Sequence, residues 1–136
     1  MRINITNSTD ISNIIFDLYG VEIKNAIGGI TTDSRNLMAG DIYIAIKGKI
    51  NDGHNYLNQV DTLNPSAVIV ANSKKYTNLN TQVVYVDDTR IAIGDIAKSY
   101  RQNFTIPVIG ITGSNGKTST KELLSHVLHG KFKVHA

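Results

Sequence analysis

Apolar residues recur at helical spacing in three segments of the chain. In the first, residues 11–18, they follow the Thr9-Asp10 pair and stop at a glycine, which predicts a short helix capped at both ends. The second segment, residues 88–101, places its apolar side chains on one helical face. The third, residues 118–129, predicts a helix whose leucine and valine side chains point inward.

Shorter runs rich in β-branched and aromatic residues predict the strands. We expect buried strands over residues 41–47, 67–71, 82–86 and 107–112, and a further short strand just before Asp33. Strand and helix therefore alternate along the chain, which indicates the α/β fold class.

A domain boundary is predicted near residue 104. Residues 1–103 carry enough alternating elements for a complete domain, whereas residues 104–136 supply one strand, a glycine-bearing loop, one helix and the start of another strand. A single strand with one helix has no sheet to join and leaves its apolar faces uncovered. We therefore expect the chain to end inside its second domain.

Composition narrows the class of protein. The chain of 136 residues is 41% hydrophobic and 18% charged, which is typical of a globular protein. Its net charge of +3 is too small to indicate nucleic acid as a partner but suits a phosphorylated ligand. It has no cysteine, no apolar run of the ~20 residues that a membrane helix needs, and no signal-peptide pattern at its start. We expect a cytoplasmic protein without a membrane partner.

The segment TGSNGKTST, residues 112–120, carries the clearest chemistry. It follows an apolar run and opens a helix, as a phosphate-binding loop does. Gly113 and Gly116 let backbone N–H groups turn toward a phosphate, and the helix dipole favours its negative charge. Lys117 is expected to reach the β- and γ-phosphates of ATP, and Thr118 to offer its hydroxyl to Mg²⁺.

Two details of this loop need an explanation. A strict G-x-x-x-x-G-K-[ST] pattern requires glycine at position 111, where this chain has Ile111. Asn115-Gly116 is also a strong signal for a hairpin turn. A hairpin needs a second strand directly afterwards, whereas residues 117–130 have a helical pattern, so the phosphate loop is the preferred interpretation.

Two separated segments resemble the Mur ligase family. TGSNGKTSTKELL is similar to the family's ATP-binding loop, which has the shorter T-G-x-x-G-K-T form and so explains Ile111. TTDSRNLMAGDIYIAIKGKINDGHNYL is similar to its uridine-diphosphate-binding segment, in which D-S-R, G-D with a strand, and D-G-H follow in this order. The two motifs with the stretch between them cover almost the whole chain, and two motifs in the right order are more specific than either alone.

The resemblance implies an activity and its substrates. VDDTRIAIGDIAKSYR, and Lys121-Glu122 after the loop, are most similar to the branch of the family that adds D-alanyl-D-alanine to UDP-N-acetylmuramoyl-tripeptide through an acyl phosphate. Ala39, where proline is usual, and Ile93, where leucine is usual, are mild departures. The branch that adds the third amino acid shares the Asp33 and Asp52 motifs and remains an alternative. The intact ligase is expected to be a monomer, and this fragment alone is expected to be inactive.

The resemblance also implies two sets of site residues. Residues 1–103 would be the domain that binds UDP-N-acetylmuramoyl-peptide, and residues 104–136 the start of the central ATP-binding domain. The expected contacts of the UDP-sugar are Asp33, Ser34, Arg35, Lys47, Gly48, Asp52, Gly53 and His54. The expected contacts of ATP are Thr112, Gly113, Ser114, Asn115, Gly116, Lys117, Thr118 and Ser119, with Lys117 catalytic and Thr118 a ligand of Mg²⁺.

Simpler interpretations stand beside these. Asp33 and Ser34 are common in capped turns, so the D-S-R triplet is also explained as a local cap. Asp87-Asp88 follows an apolar strand as a magnesium-binding pair would, but it precedes a helix, and an N-cap is the better interpretation. As a whole, the chain could instead be a small phosphate-loop kinase or other NTPase, or an inert module that binds a nucleotide-sugar.

Overall fold

The β-branched runs of the first part of the chain form one sheet. The computed structural model describes residues 2–72 and 75–135. Its five strands lie in chain order across the sheet, with β1 antiparallel to β2 and every other neighbouring pair parallel. The strands are β1 (Arg2–Asn4), β2 (Gly29–Thr31), β3 (Ile42–Ile44), β4 (Ala67–Ala71) and β5 (Val83–Val86). The predicted α/β class is confirmed.

Both faces of the central strands are buried, and successive side chains alternate between them. Ile42 and Ile44 of β3 point to one face, and Tyr43 between them points to the other. Ile42 pairs with Ala67, and Ile44 pairs with Ile69. Ala67 and Ile69 of β4 therefore point to the same face as Ile42 and Ile44. Buried residues on both faces explain why these strands are runs of apolar residues and not alternating patterns.

Helices cover both faces of this sheet. Helices α1 (Ser8–Tyr19) and α3 (Thr89–Gln102) pack on the face of Ile42 and Ile44. The short helix α2 (Leu57–Asp61) covers the opposite face with Leu57 and Val60. Two single-turn 3-10 helices, Ser34–Asn36 and Gly53–Tyr56, follow β2 and β3.

The helix ends show which capping predictions are right. Gly20 ends α1 in the left-handed region, with φ of 68°, as predicted. The cap at its start is Asn7, whose side chain accepts a hydrogen bond from Thr9 N at 3.2 Å, so the predicted Thr9-Asp10 cap is wrong. Those two residues already lie in the first turn. Asp88 caps α3 through the backbone N–H groups of Arg90 and Ile91, which confirms the N-cap interpretation.

Strand β1 was not predicted from the sequence, and a partly buried ion pair helps to hold it in place. The Arg2 guanidinium donates to both carboxylate oxygens of Asp41, at 2.6 Å and 2.7 Å. Asp41 is fully buried and also accepts from Met38 N at 2.9 Å. This pairing with Asp41 raises the pKa of Arg2 above its usual value. The edge strand is therefore held by its backbone pairing with β2 and by this charge pair, and none of its own side chains is buried.

The chain divides into two compact units, Met1–Phe104 and Thr105–Ala136. The second contains one helix, α4 (Lys117–His129). Its described residues form no strand, so the strands predicted over residues 107–112 and after residue 130 are wrong. An apolar run becomes a strand only where a neighbouring strand completes its hydrogen bonds, and the described part of this unit provides none.

The inward orientation predicted for the apolar side chains of α4 is also wrong for the described structure. Leu123 and Val127 are 67% and 71% exposed, and α4 has no buried residue. Across the described ranges, no helix is both long and apolar enough to cross a membrane.

Gly53, at the start of the second 3-10 helix, lies where a side chain does not fit. A Cβ atom there would lie 2.8 Å from Ile46 N and 3.0 Å from the Tyr43 hydroxyl. Gly94, in the exposed face of α3, is the opposite case, because a Cβ atom there meets nothing within 4 Å.

We predict opposite effects for alanine at these two glycines. Gly53→Ala should destabilise the fold by ~1–3 kcal/mol, because backbone and not a flexible side chain must move. Gly94→Ala should stabilise it by ~0.5–1 kcal/mol, because glycine inside a helix costs backbone entropy. Urea denaturation of both variants measures the difference. Equal midpoints for the two variants would contradict the packing described for Gly53.

We also predict that amides of residues 107–128 exchange with solvent much faster than those of residues 30–100. The first segment contains an exposed helix of 13 residues, and helices of that length are marginal without packing. Hydrogen–deuterium exchange followed by mass spectrometry tests this. Strong protection of residues 107–128 in the isolated monomer would show that this prediction is wrong.

Candidate functional site

Polar side chains gather at the carboxyl ends of the parallel strands. Asp33 follows β2, Lys47 follows β3 and Asp87 follows β5. Parallel strands end at the same edge of a sheet, and this edge is where open α/β sheets bind their ligands. The predicted UDP-sugar contacts of this chain are all placed along it.

Asp33, Ser34 and Arg35 form a capped turn. Asp33 accepts from Arg35 N at 3.1 Å and binds the Arg35 guanidinium through Nε at 2.9 Å and Nη2 at 2.8 Å. These hydrogen bonds lower the pKa of Asp33 to about 2. The Arg35 side chain is 84% exposed. The capping interpretation of this triplet is confirmed, and its contact with a ligand stays a prediction.

The loop after β3 is a tight reversal of the chain. Lys47 and Asp52 form an isolated antiparallel bridge, and Gly48 N donates to Asn51 O at 2.7 Å. Gly53 N donates to Ile46 O at 2.8 Å and closes the base of the loop. We call residues 47–52 the 47–52 loop. A Cβ atom at Gly48 would lie 3.0 Å from Asn51 O, and one at Gly53 would lie 2.8 Å from Ile46 N, which explains why glycines stand at both positions.

His54 connects this loop to β4. Its Nε2 accepts from Ala71 N at 3.0 Å, and its Nδ1 lies 2.6 Å from Asp52 Oδ1. Because a backbone N–H can only donate, Nε2 carries no proton, and the proton on Nδ1 is donated to Asp52. The ring also stacks on Tyr76, with centroids 6.1 Å apart. His54 is therefore an ordered part of the site and not a free surface histidine.

Asp52 is held from two directions. Burial raises the pKa of this carboxyl, but its hydrogen bonds from the backbone and ring of His54 outweigh that effect, and its pKa is lowered overall. The neighbouring Tyr43 hydroxyl donates to Gly53 O at 3.1 Å, and burial raises the pKa of Tyr43 to about 12. Both side chains brace the backbone of the 47–52 loop and its continuation.

The structure brings several of the predicted residues together in one open cleft of about 460 Å³. Lys47, Asp52 and His54 line it, whereas Asp33, Ser34 and Arg35 are not among its lining residues. Arg90 and Tyr76 also line the cleft and were not predicted from the sequence. Arg90 Nη2 donates to Lys47 O at 3.1 Å. The available signal for Arg90 was its place in the first turn of a helix that directly follows β5.

The segment TGSNGKTST contains two glycines in backbone conformations that other residues rarely adopt. Gly113 and Gly116 have positive φ values of 152° and 76°, which L-residues rarely adopt. Gly116 is the N-cap of α4 and provides no side-chain cap. Lys117 Nζ donates to the carbonyl oxygens of Gly113 and Ser114. The first N–H groups of α4 therefore have no side-chain cap, and the Lys117 ammonium lies against the loop that precedes them.

The remaining predicted ATP contacts also lie in this loop or in the first turn of α4. Thr112, Ser114, Asn115, Thr118 and Ser119 are all exposed. Within the described residues no cluster of three or more His, Cys, Asp or Glu side chains could hold a metal ion. The role of the Thr118 hydroxyl as a ligand of Mg²⁺ stays a prediction.

The chain is similar to ligases of cell-wall precursor synthesis. It is 41% identical over 109 residues to UDP-N-acetylmuramoyl-tripeptide–D-alanyl-D-alanine ligase from Synechocystis sp., covering 80% of this chain and 24% of that relative. It is 32% identical over 125 residues to UDP-N-acetylmuramoyl-L-alanyl-D-glutamate–2,6-diaminopimelate ligase from Aquifex aeolicus, covering 90% of this chain and 25% of that relative. No protein-family model matches the chain.

Solved structures give the same result. The MurF ligase from Thermotoga maritima, in complex with ADP, superposes with a TM-score of 0.69 at 31% identity, covering 78% of this chain and 24% of that one. The D-alanyl-D-alanyl ligase from Acinetobacter baumannii superposes with a TM-score of 0.76 at 31% identity, covering 88% of this chain and 28% of that one. This chain thus spans about a quarter of the length of the proteins it matches.

The Asp33–Arg35 pair predicts a specific pH dependence. The pKa of Asp33 in the folded chain is about 2, below its ordinary value of 3.8, so the pair stabilises the fold above pH ~4 and loses that effect as the pH falls toward 2. Arg35→Gln should therefore lower the thermal midpoint slightly at pH 6 and by a smaller amount at pH 2, where about half of the Asp33 carboxyls are protonated. Thermal unfolding of both proteins across this range is the measurement. A difference as large at pH 2 as at pH 6 would contradict the assignment.

Proposed function

This chain belongs to the Mur ligase family, and from that premise we propose that the intact protein is an ATP-dependent ligase of peptidoglycan precursor synthesis. It joins D-alanyl-D-alanine to UDP-N-acetylmuramoyl-tripeptide in the cytoplasm. The observation that carries the proposal is the loop before α4, which combines two glycines with positive φ, a helix N-terminus without a side-chain cap, and Lys117 directly after that cap position. The ADP complex of the similar Thermotoga maritima ligase supports a nucleotide as the ligand.

The two compact units would bind different ligands. We assign Met1–Phe104 to the uridine diphosphate end of the precursor, through Asp33 to Arg35 and the residues from Lys47 to His54. We assign Thr105–Ala136 to the phosphates of ATP, through residues 112–119. The carboxyl edge of the parallel sheet supports the first assignment. The open helix N-terminus of α4 supports the second.

The proposed chemistry activates a carboxylate. The terminal carboxylate oxygen of the tripeptide attacks the γ-phosphorus of ATP, the bond to the β-phosphate oxygen breaks, and ADP leaves. The neutral amine of D-alanyl-D-alanine then attacks the acyl carbon, the bond from that carbon to the phosphate oxygen breaks, inorganic phosphate leaves, and the nitrogen loses one proton to give the amide. Lys117 would leave its carbonyl partners and place its positive charge beside the transferred phosphoryl group.

A magnesium ion fits this site only as a partner of the nucleotide. Thr118, directly after Lys117, would supply one hydroxyl oxygen, and phosphate oxygens would supply further ligands, since hard cations prefer oxygen. Bound there, the ion would offset negative charge on the phosphates. Residues 112–119 would hold the phosphates in the orientation that the reaction needs.

The ligase that adds the third amino acid is a second candidate, because the Aquifex aeolicus diaminopimelate ligase matches 90% of the chain. The identity of 41% to the D-alanyl-D-alanine ligase, against 32% to the diaminopimelate ligase, favours the first candidate. The solved structures named above support the same choice. Incubating the intact enzyme with ATP and either UDP-dipeptide plus diaminopimelate or UDP-tripeptide plus D-alanyl-D-alanine separates the two.

We predict that Lys117→Ala in the intact enzyme lowers kcat by about 100-fold or more while UDP-precursor binding changes less than twofold. Removal of a charge that stabilises the transferred phosphoryl group in the transition state lowers kcat by about this factor. Lys121→Ala, one turn further along α4, is the matched control and should keep normal kcat. Kinetics and calorimetric titration with UDP-tripeptide are the measurements. An equal loss of both properties in Lys117→Ala would contradict the separation of the two sites.

A further inference from the structure

The 47–52 loop is exposed, yet its conformation is well defined. Every residue from Lys47 to Asn51 is exposed, and Ile50 at its tip is 95% exposed. Packing therefore does not hold this segment. Its own backbone bonds, Gly48 N to Asn51 O and Gly53 N to Ile46 O, shape it locally but do not fix it against the rest of the sheet.

The first attachment of the 47–52 loop to the rest of its unit comes from α3. Arg90 Nη2 donates to the backbone oxygen of Lys47 at 3.1 Å, joining two residues 43 positions apart in the chain. Asp88, which is close to Arg90 in sequence, does not compete for this guanidinium through its Oδ1, because that oxygen already accepts from two backbone N–H groups. The carbonyl is the first one of the loop, so Arg90 fixes the end at which the loop leaves β3.

The second attachment comes from β4. Ala71 N donates to His54 Nε2 at 3.0 Å, and His54 Nδ1 donates to Asp52, the last residue of the loop. The side chains of His54 and Asp52 are 10% and 31% exposed, so this link is largely shielded from water. A histidine with its proton on Nδ1 is suited to accept from one neighbour and donate to the other.

We propose that Arg90 and His54 are positioning residues, which together hold the 47–52 loop in its binding conformation before any ligand arrives. The inference rests on the proposed function, in which this loop contacts the uridine diphosphate of the precursor. Ordering a free loop during binding costs conformational entropy for each residue fixed, and a loop that is already fixed avoids this cost. Removal of either attachment should weaken binding by loosening the loop, because Arg90 is not among the expected ligand contacts and both ring nitrogens of His54 are engaged within the chain.

Four variants and one control test this on the whole 136-residue chain, with UDP as the probe. Arg90→Ala and His54→Leu remove the attachments. Arg90→Lys keeps one N–H donor, and His54→Gln keeps an acceptor for Ala71 N. Lys98→Ala, an exposed cation elsewhere on α3, is the control. Two quantities are measured for each protein: amide exchange at Gly48 and Gly53 without ligand, and the Kd for UDP.

In the two removal variants we expect both amides to exchange about fivefold faster and the Kd for UDP to rise about fivefold, the factor that one net hydrogen bond provides. The two conservative variants should recover most of both properties, and Lys98→Ala should change neither. Nitrogen-15 NMR should show the His54 proton on Nδ1 at neutral pH.

Each contrary result has one meaning. If Arg90→Ala weakens UDP binding but leaves ligand-free exchange unchanged, Arg90 contacts the ligand directly and the positioning role is wrong. If the wild-type chain binds UDP and the removal variants bind it equally well, the attachments are structural only and the inference is overturned. If the folded wild-type chain shows no binding of UDP at millimolar concentration, the proposed function fails and this inference with it. A proton on His54 Nε2 would overturn the role of His54.

Discussion

The pairing of β3 with β4 is the constraint on which the first unit depends. Ile42, Tyr43 and Ile44 pair in register with Ala67, Val68 and Ile69, and each of these side chains is at most 1% exposed. A strand buried on both faces needs cover on both faces, which α1 and α3 provide on one side and α2 on the other. The parallel direction of these strands also sends the segments after β3, β4 and β5 to one edge. The cleft with Lys47, His54 and Arg90 is a direct result.

The sequence patterns predicted elements where local and long-range requirements agree. Residues 67–71 form a strand with the predicted bounds. A run of small and β-branched residues favours a strand locally, and it also suits burial on both faces of a central strand. The polar β1 escaped prediction because Arg2 is placed by Asp41, 39 residues away. The opposite error occurred at residues 107–112, where apolar character without a neighbouring strand did not produce a strand. A sequence pattern shows which structure a segment favours, whereas its contacts with the rest of the fold decide which structure it adopts.

The candidate site was predictable to a similar degree. Asp52, Gly53 and His54 could be named from their resemblance to a family motif, but the hydrogen bond from Ala71 N that orders His54 depends on a strand outside that motif. Arg90 and Tyr76 carried no motif signal of comparable strength, and only the fold places them beside Lys47. The D-S-R triplet shows the limit of motif reasoning in the other direction, because Asp33 and Arg35 satisfy each other within one turn.

The uncapped start of α4 makes the stability of this helix depend on what occupies it. Where most helices begin with a side chain that accepts from the first N–H groups, Gly116 leaves those donors open. An anion seated there would act as the missing cap, and by mass action its binding would stabilise the helical form by an amount that grows with its concentration. Helix formation and the concentration of such an anion would then be thermodynamically coupled.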